Sequence, residues 1–268
     1  MLKSRGGQIY NGYNNLPNKK GQVTIFIIVA IILVVAVGLF LLIRSGIVSD
    51  IFTRAPQNPE ADLQVCLEDR VYEAVELLGQ RGGYMYNSLN ATFSFPGENR
   101  KSDISYLCYT RADEDKCIIQ TLVLNHLEKE IHDYLGPEME GCLTELEQSY
   151  SNAGYTVEVK RGDFEVALNP ERITIESKQE IRLTKSDETT VEKDFTFSFY
   201  TELYELGFIA QRIVQGEANN CEFDYVDYIL AHPHIDIDYF KASDSVEFYK
   251  IINKNTNELF KLAIRGCI

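Results

Sequence analysis

Residues Tyr155–Tyr200 (YTVEVKRGDFEVALNPERITIESKQEIRLTKSDETTVEKDFTFSFY) decide the fold class, because apolar and polar side chains alternate along most of their length. Alternation with a period of two is typical of strands that bury one face. The pattern predicts four strands, at 155–160, 163–168, 172–183 and 190–200. Arg161-Gly162 and Asn169-Pro170 supply tight turns between the first three, so the stretch predicts an antiparallel meander.

Helical spacing of apolar residues flanks this stretch on both sides. Toward the N-terminus it predicts helices over 62–78, 117–135 and 138–149, with a loop over 84–115 and a break at Gly136-Pro137. Toward the C-terminus it predicts a helix over 202–215, a short helix near 221–230, and strands over 235–240, 245–251 and 259–264. We therefore expect an α+β domain over 62–268, helical over 62–150 and sheet-rich over 151–268, with helices packed on an antiparallel β-sheet.

An apolar segment precedes this domain, between the basic flanks of Lys19–Arg44. Its 21 central residues, Val23–Ile43, would span about 30 Å as a helix, which is the thickness of a bilayer core. The sequence therefore predicts one N-terminal transmembrane helix over 22–44. A buried core helix and a cleaved secretory signal are the alternatives, and the length of the apolar run argues against both.

The flanks of the apolar segment predict its orientation. The arm, residues 1–21, carries basic but no acidic residues and is short of apolar residues, so we expect it to be cytoplasmic and disordered. A linker over 45–61 would then lead to an extracytoplasmic domain. The predicted localisation is the cell membrane, as a single-pass protein with its C-terminal domain outside and the lipid bilayer as a partner.

The Lys-Lys-Gly-Gln step at Gly21-Gln22 resembles the class III leader of archaeal type IV pilins, which a prepilin peptidase cuts after Gly. That resemblance implies processing between Gly21 and Gln22. Two residues depart from the pilin pattern: Thr24 stands where those proteins usually have Ser, and Phe26 where they usually have Glu. The alternative is that the basic residues simply mark the inner membrane face.

Charge and cysteine usage restrict the function classes. The net charge is −14, and the acids all follow residue 44, so binding of nucleic acid is disfavoured by repulsion. An even number of cysteines in an exported domain favours three disulfides. We expect the pairs Cys108–Cys117, Cys66–Cys142 and Cys221–Cys267, of which the first is supported by its short spacing. Asn90-Ala91-Thr92 is a glycosylation sequon in the predicted surface loop.

One cluster in the sequence carries residue types that bind metals. In an extended strand, His232, His234, Asp236 and Asp238 would share one face, which makes them candidates for a divalent-metal site of an envelope enzyme. The alternative is the solvated face of an amphipathic strand. Paired tyrosines offer a second candidate surface, for a glycan or a partner protein. The pairs are Tyr84 and Tyr86, Tyr106 and Tyr109, Tyr200 and Tyr204, and Tyr225 and Tyr228.

Several stretches together resemble a group of single-pass membrane proteins of small-genome (DPANN-type) archaea. They are Lys20–Phe26, Cys66-Leu67-Glu68, Leu77-Leu78-Gly79, Gly82-Gly83-Tyr84, Ala153-Gly154-Tyr155 and Leu262-Ala263-Ile264-Arg265. The resemblance covers most of the chain but implies no activity, catalytic residue or cofactor. We therefore expect a membrane-anchored cell-surface protein with a structural, adhesive or binding role toward other surface proteins or glycans. A pilin-like subunit and an envelope enzyme are the alternatives.

Overall fold

The structure, a computed structural model, describes residues 27–33, 58–87, 89–111, 114, 117–120, 123–242 and 245–266. The chain divides into two units, Met1–Ala55 and Pro56–Ile268. In the first unit the described residues, 27–33, are helical. The predicted transmembrane helix is wrong for the described part of the chain, where every helix is too short or too polar to cross a bilayer. The rest of 22–44, the arm and the Gly21-Gln22 bond lie outside the described residues.

The second unit is an α+β domain, which confirms that part of the predicted fold class. Its helices are α1 (Pro59–Arg81), α2 (Val123–Asn152), α3 (Leu203–Asn220) and α4 (Tyr225–Ala231). Its strands are β1 (Asn90–Phe93), β2 (Ser102–Tyr109), β3 (Ile118–Ile119), β4 (Thr156–Lys160), β5 (Phe164–Asn169), β6 (Arg172–Lys185), β7 (Glu188–Tyr200), β8 (Ile235–Lys241), β9 (Val246–Asn253) and β10 (Leu259–Arg265).

The strands form two sheets rather than one. The larger sheet has the order β1-β2-β10-β9-β8, with β3 also paired to β2. It is mixed, because β10 runs parallel to β2 and antiparallel to β9. The prediction of a loop over 84–115 is wrong, since β1 and β2 lie there. The buried run Ile104–Cys108 of β2 faces protein on both sides, so it lacks the alternation that marks a half-exposed strand.

The second sheet is built around the long strand β6. Strand β7 pairs along one side of it, while β5 and β4 pair with successive halves of the other side. Strands β4 and β5 therefore lie end to end, and the predicted meander is wrong at Arg161-Gly162, which is no hairpin turn. The Gln179 side chain closes the gap between the two strands: its amide accepts from Gly162 N and donates to Gly162 O, both at 2.7 Å.

The N-terminal cap of α1 explains where that helix begins, and the burial of its apolar face explains why α2 continues through an interior proline. The side chain of Asn58 caps α1 by accepting from Ala61 N, and Pro59 fits the first turn, where its missing N–H is not needed. Helix α2 continues through Pro137, so the predicted break at Gly136-Pro137 is wrong. An unbroken apolar stripe on α2, from Leu127 through Leu135 to Leu146, is buried on both sides of the proline. That burial outweighs the roughly 3 kcal/mol that an interior proline costs.

Two predicted disulfides are present. Cys66–Cys142 joins α1 to α2, and Cys108–Cys117 links the end of β2 to the start of β3. Cys221 is also disulfide-bonded, and its predicted partner, Cys267, lies outside the described residues. Disulfides persist in oxidising compartments and are rare in the cytosol. The cysteine chemistry therefore indicates an extracytoplasmic domain.

The larger sheet has a core on each face. On the inner face α1 and α3 cover the main core, which includes Leu107, Tyr249 and Leu262, while α2 packs on these two helices and on strands β4 and β5. On the outer face a smaller cluster contains Phe95 and Phe248, and the Phe93 ring stacks on Phe248 with centroids 4.2 Å apart. The segment that follows β1 thus folds over the sheet, and this arrangement positions the groove described next.

Candidate binding groove

A groove of about 800 Å³ opens where the C-terminal end of α1 meets residues 84–87, Asn90 and the segment 98–105. Strand β10 contributes one side chain to it, that of Lys261. Pockets of a few hundred to 1,000 Å³ are typical of small-ligand sites. Two smaller cavities, of about 310 and 270 Å³, lie near the turn between β9 and β10. The larger groove is therefore the candidate functional site of the described residues.

Two glycines turn the chain from α1 into the first wall of the groove. Gly82 and Gly83 have φ values of 76° and 82°, which is the left-handed region, and Gly83 N donates to Leu78 O at 2.8 Å. Arg81 Nη1 then donates to the carbonyl oxygen of Met85 at 2.6 Å. From behind, Glu130 of α2 accepts from Met85 N at 2.8 Å. The first wall is thus fixed on both sides.

Tyr84 and His126 form a partly buried ring pair behind this wall, with centroids 4.1 Å apart. Burial raises the pKa of the Tyr84 hydroxyl, and the nearby Glu130 carboxylate adds to the effect. Burial lowers the pKa of His126, although Glu130, 3.4 Å from its Nε2, acts in the opposite direction. Both rings are therefore favoured in their neutral forms, and they serve as an apolar support for the groove.

A cluster of buried charges holds the opposite wall. Lys261 is only 2% exposed, and its Nζ contacts Glu98 Oε2 at 3.0 Å and Ser102 Oγ at 3.1 Å. Lys250, 8% exposed, lies 3.9 Å from the other oxygen of Glu98 and 2.6 Å from Asp238. Both ammonium groups also lie over the Phe95 ring, at 4.9 and 5.9 Å from its centroid. Glu98 therefore ties its segment to two strands.

Replacing Glu98 by Ala is expected to lower the free energy of unfolding by about 3 kcal/mol, since it leaves two buried ammonium groups without their shared carboxylate. Urea unfolding followed by far-UV circular dichroism measures the loss. Glu165→Ala is the matched control, because it breaks an exposed ion pair with Lys178 and should cost at most about 0.5 kcal/mol. Equal small losses in the two variants would contradict the proposed tie.

The open surface of the groove is polar with one aromatic side chain. Tyr86 is 91% exposed, and the Arg81 guanidinium lies 6.0 Å from its ring centroid. Amide side chains also line the groove, at Gln80, Asn87, Asn90 and Asn99. Amides both donate and accept hydrogen bonds, and an exposed ring offers a flat apolar face. This combination suits a ligand that carries many hydroxyl groups.

The four predicted metal residues do not form one set, although the His232 and His234 ring centroids lie 6.4 Å apart. Strand β8 begins at Ile235, so His232 and His234 precede it. The His232 ring stacks on Tyr228, while His234 Nε2 lies 2.9 Å from Glu205. Asp238 pairs with Lys250, and Asp236 is exposed. Among the residues that the structure describes, no group of three His, Cys, Asp or Glu side chains is placed to hold a metal ion.

Two other predicted features lie at the groove. Asn90 begins β1 rather than lying in a loop, and its side-chain amide donates to Asn87 O. Of the tyrosine pairs, only Tyr84 and Tyr86 line the groove, the others lying elsewhere in the domain. Glu98 and Lys261, which stand 163 residues apart, carry no sequence pattern that predicts their contact. The one local signal was the run of polar and charged residues after Pro96-Gly97, which indicates only an exposed turn.

Comparison of the chain with models of protein families, with curated proteins and with solved structures finds no match. The groove and its side chains are therefore the basis on which a function can be proposed.

Proposed function

We propose that the chain is a cell-surface binding protein whose groove takes a saccharide. The observation that carries this proposal is the exposed Tyr86 ring in a groove otherwise lined largely by amide and charged side chains. A sugar ring presents hydroxyl groups at its edge and C–H groups on its faces. Amides can bond to the edge while the tyrosine ring packs on a face.

The polarity of the groove argues against an apolar ligand. Pockets for apolar small molecules are lined mainly by hydrophobic and aromatic side chains. Here the apolar contribution comes mainly from Leu77, Met85 and the tyrosine rings, and Met85 is buried. A polyhydroxylated ligand would instead replace the water that solvates these walls with hydrogen bonds of similar quality.

The carboxylates of the groove favour binding over glycoside hydrolysis. Hydrolysis generally needs two carboxyl groups, one on each side of the scissile bond. Glu98 is engaged by two lysines, and Asp103 accepts a hydrogen bond from Thr92 Oγ1 at 2.6 Å. Glu76 alone remains of the three carboxylates that line the groove.

Titration of the purified full chain with cellotriose, maltotriose, mannotriose and chitotriose tests the proposal by calorimetry. We expect at least one of them to bind, and Tyr86→Ala to weaken its binding about tenfold through loss of the ring contact. Tyr200→Ala is the matched control, since that side chain is also exposed but lies on β7, away from the groove. If neither these four neutral sugars nor an acidic trisaccharide binds, or if Tyr86→Ala binds as tightly as the parent chain, the proposal is wrong.

A further inference from the structure

The charges in the groove differ in sign from those of the chain as a whole. Four cationic side chains line it, from Arg81, Arg100, Lys101 and Lys261, against three carboxylates, whereas the chain carries a net charge of −14. Resting on the proposed function, we infer that the groove selects acidic saccharides, and that Arg100 and Lys101 bind the carboxylate of a uronic acid.

The buried charge cluster leaves these two cations available. Lys250 and Lys261 are balanced by Glu98 and Asp238, so the cluster is neutral as a whole. The side chains of Arg100 and Lys101, by contrast, have no hydrogen bond, ion pair or ring contact among the described residues. Both residues are exposed. Both charged groups lie at the groove, and no carboxylate of the described residues is within ion-pair distance of either.

Other cations of the domain occur both with and without a carboxylate partner. Arg161 pairs with Glu140 and Glu147, and Arg182 pairs with Glu158 and Glu180. Among the described residues, other exposed cations such as Lys160, Arg172 and Lys193 have no carboxylate partner either, but they do not line the groove. What distinguishes Arg100 and Lys101 is that they are adjacent and both line a cavity, where one anionic group of a ligand can contact both side chains.

The backbone that carries the two cations is held at both ends. Phe95 is buried at one end, and at the other Ser102 begins β2 and contacts Lys261. Glu98 ties the middle of the segment to the sheet. A segment that is fixed before binding loses little conformational entropy on binding. The guanidinium of Arg100 can bind both oxygens of a carboxylate, while Lys101 adds a second positive charge.

The negative charge of the rest of the chain disfavours large polyanions as ligands of the groove. An acidic protein repels nucleic acids and anionic lipid surfaces, which present many charges over a large area. A single carboxylate on a sugar ring fits within the groove and meets the local cations without approaching the acidic surface.

Calorimetric titration of the full chain with trigalacturonate and with its methyl ester tests the inference, because the ester keeps the sugar rings and removes the charge. At low salt we expect the acid to bind at least about tenfold more tightly than the ester, and 0.5 M NaCl to reduce the difference. The double variant Arg100→Gln/Lys101→Gln should bind both forms equally. Lys160→Gln/Lys193→Gln, which removes two cations from strands β4 and β7, is the matched control and should keep the preference.

The outcomes separate this inference from the proposed function. If neutral trisaccharides bind but the acid binds no better than its ester, the acidic selectivity is wrong and saccharide binding stands. If no saccharide binds, the proposed function fails and the inference fails with it. If triglutamate binds more tightly than trigalacturonate, and the Arg100→Gln/Lys101→Gln variant abolishes that binding, the ligand is an acidic peptide and the saccharide class is overturned.

Discussion

Replacing both Cys66 and Cys142 by Ala is expected to lower the free energy of unfolding by about 4.5 kcal/mol. The two cysteines are 76 residues apart, and their bond joins α1 to α2. A cross-link over so long a loop removes much of the conformational entropy of the unfolded chain. The measurement is urea unfolding of the oxidised proteins, followed by far-UV circular dichroism.

The second disulfide provides the internal comparison for this prediction. Cys108 and Cys117 are 9 residues apart, so the same entropy argument gives about 2.7 kcal/mol for their joint replacement by Ala. The long-range disulfide should therefore matter more than the local one. A larger loss for the Cys108/Cys117 pair would show that local strand geometry, rather than chain entropy, governs the contribution of these bonds.

Gly79→Ala is expected to destabilise the domain by about 3 kcal/mol, although Ala favours helices more than Gly does by about 1 kcal/mol. A Cβ atom at Gly79 would lie 2.2 Å from the carbonyl oxygen of Leu259, at the start of β10. The backbone of α1 at Gly79 and that of β10 at Leu259 are packed against each other. The new Cβ can therefore be accommodated only if α1 shifts away from the sheet. Thermal unfolding by calorimetry measures the effect.

Gly141 of α2 provides the matched control. It is also a helical glycine, but no atom lies within 4 Å of the Cβ that a substitution would add. Gly141→Ala should therefore stabilise the domain by about 0.5–1 kcal/mol through helix propensity alone. If Gly79→Ala were stabilising as well, the close approach of α1 to β10 would be incorrect.

The sequence predicted the elements that have a local signature. The strand pattern of 155–200 places β4 to β7 close to their observed bounds, and the C-terminal strands over 235–264 were also located. Helix α1 was predicted over 62–78 and extends to Pro59–Arg81. In each case the alternation or the helical spacing of side chains within one segment reflects which of its faces is buried.

Errors arose where distant segments decide the structure. The dipeptide Arg161-Gly162 is compatible with a hairpin turn between β4 and β5 and also with a break between two strands that lie end to end. The second arrangement is evident only from the pairing of β4 and β5 with successive halves of β6. Strand β2 was missed because its partners on both sides, β1 and β10, include one from the far end of the chain. Pro137 was taken as a helix break because its cost is local, while the burial that offsets it comes from the packing of α2.

The amino-acid sequence by itself determined the α+β class, most of the individual strands and helices, and the local disulfide Cys108–Cys117. The tertiary structure alone decided the division into two sheets, the parallel pairing of β10 with β2, and the groove. The physical reason is that side-chain periodicity records only whether a face is buried, and carries no information about what buries it. Glu98 and Lys261 illustrate this, because an exposed-looking acid and a strand lysine become a buried ion pair only when the fold brings their segments together.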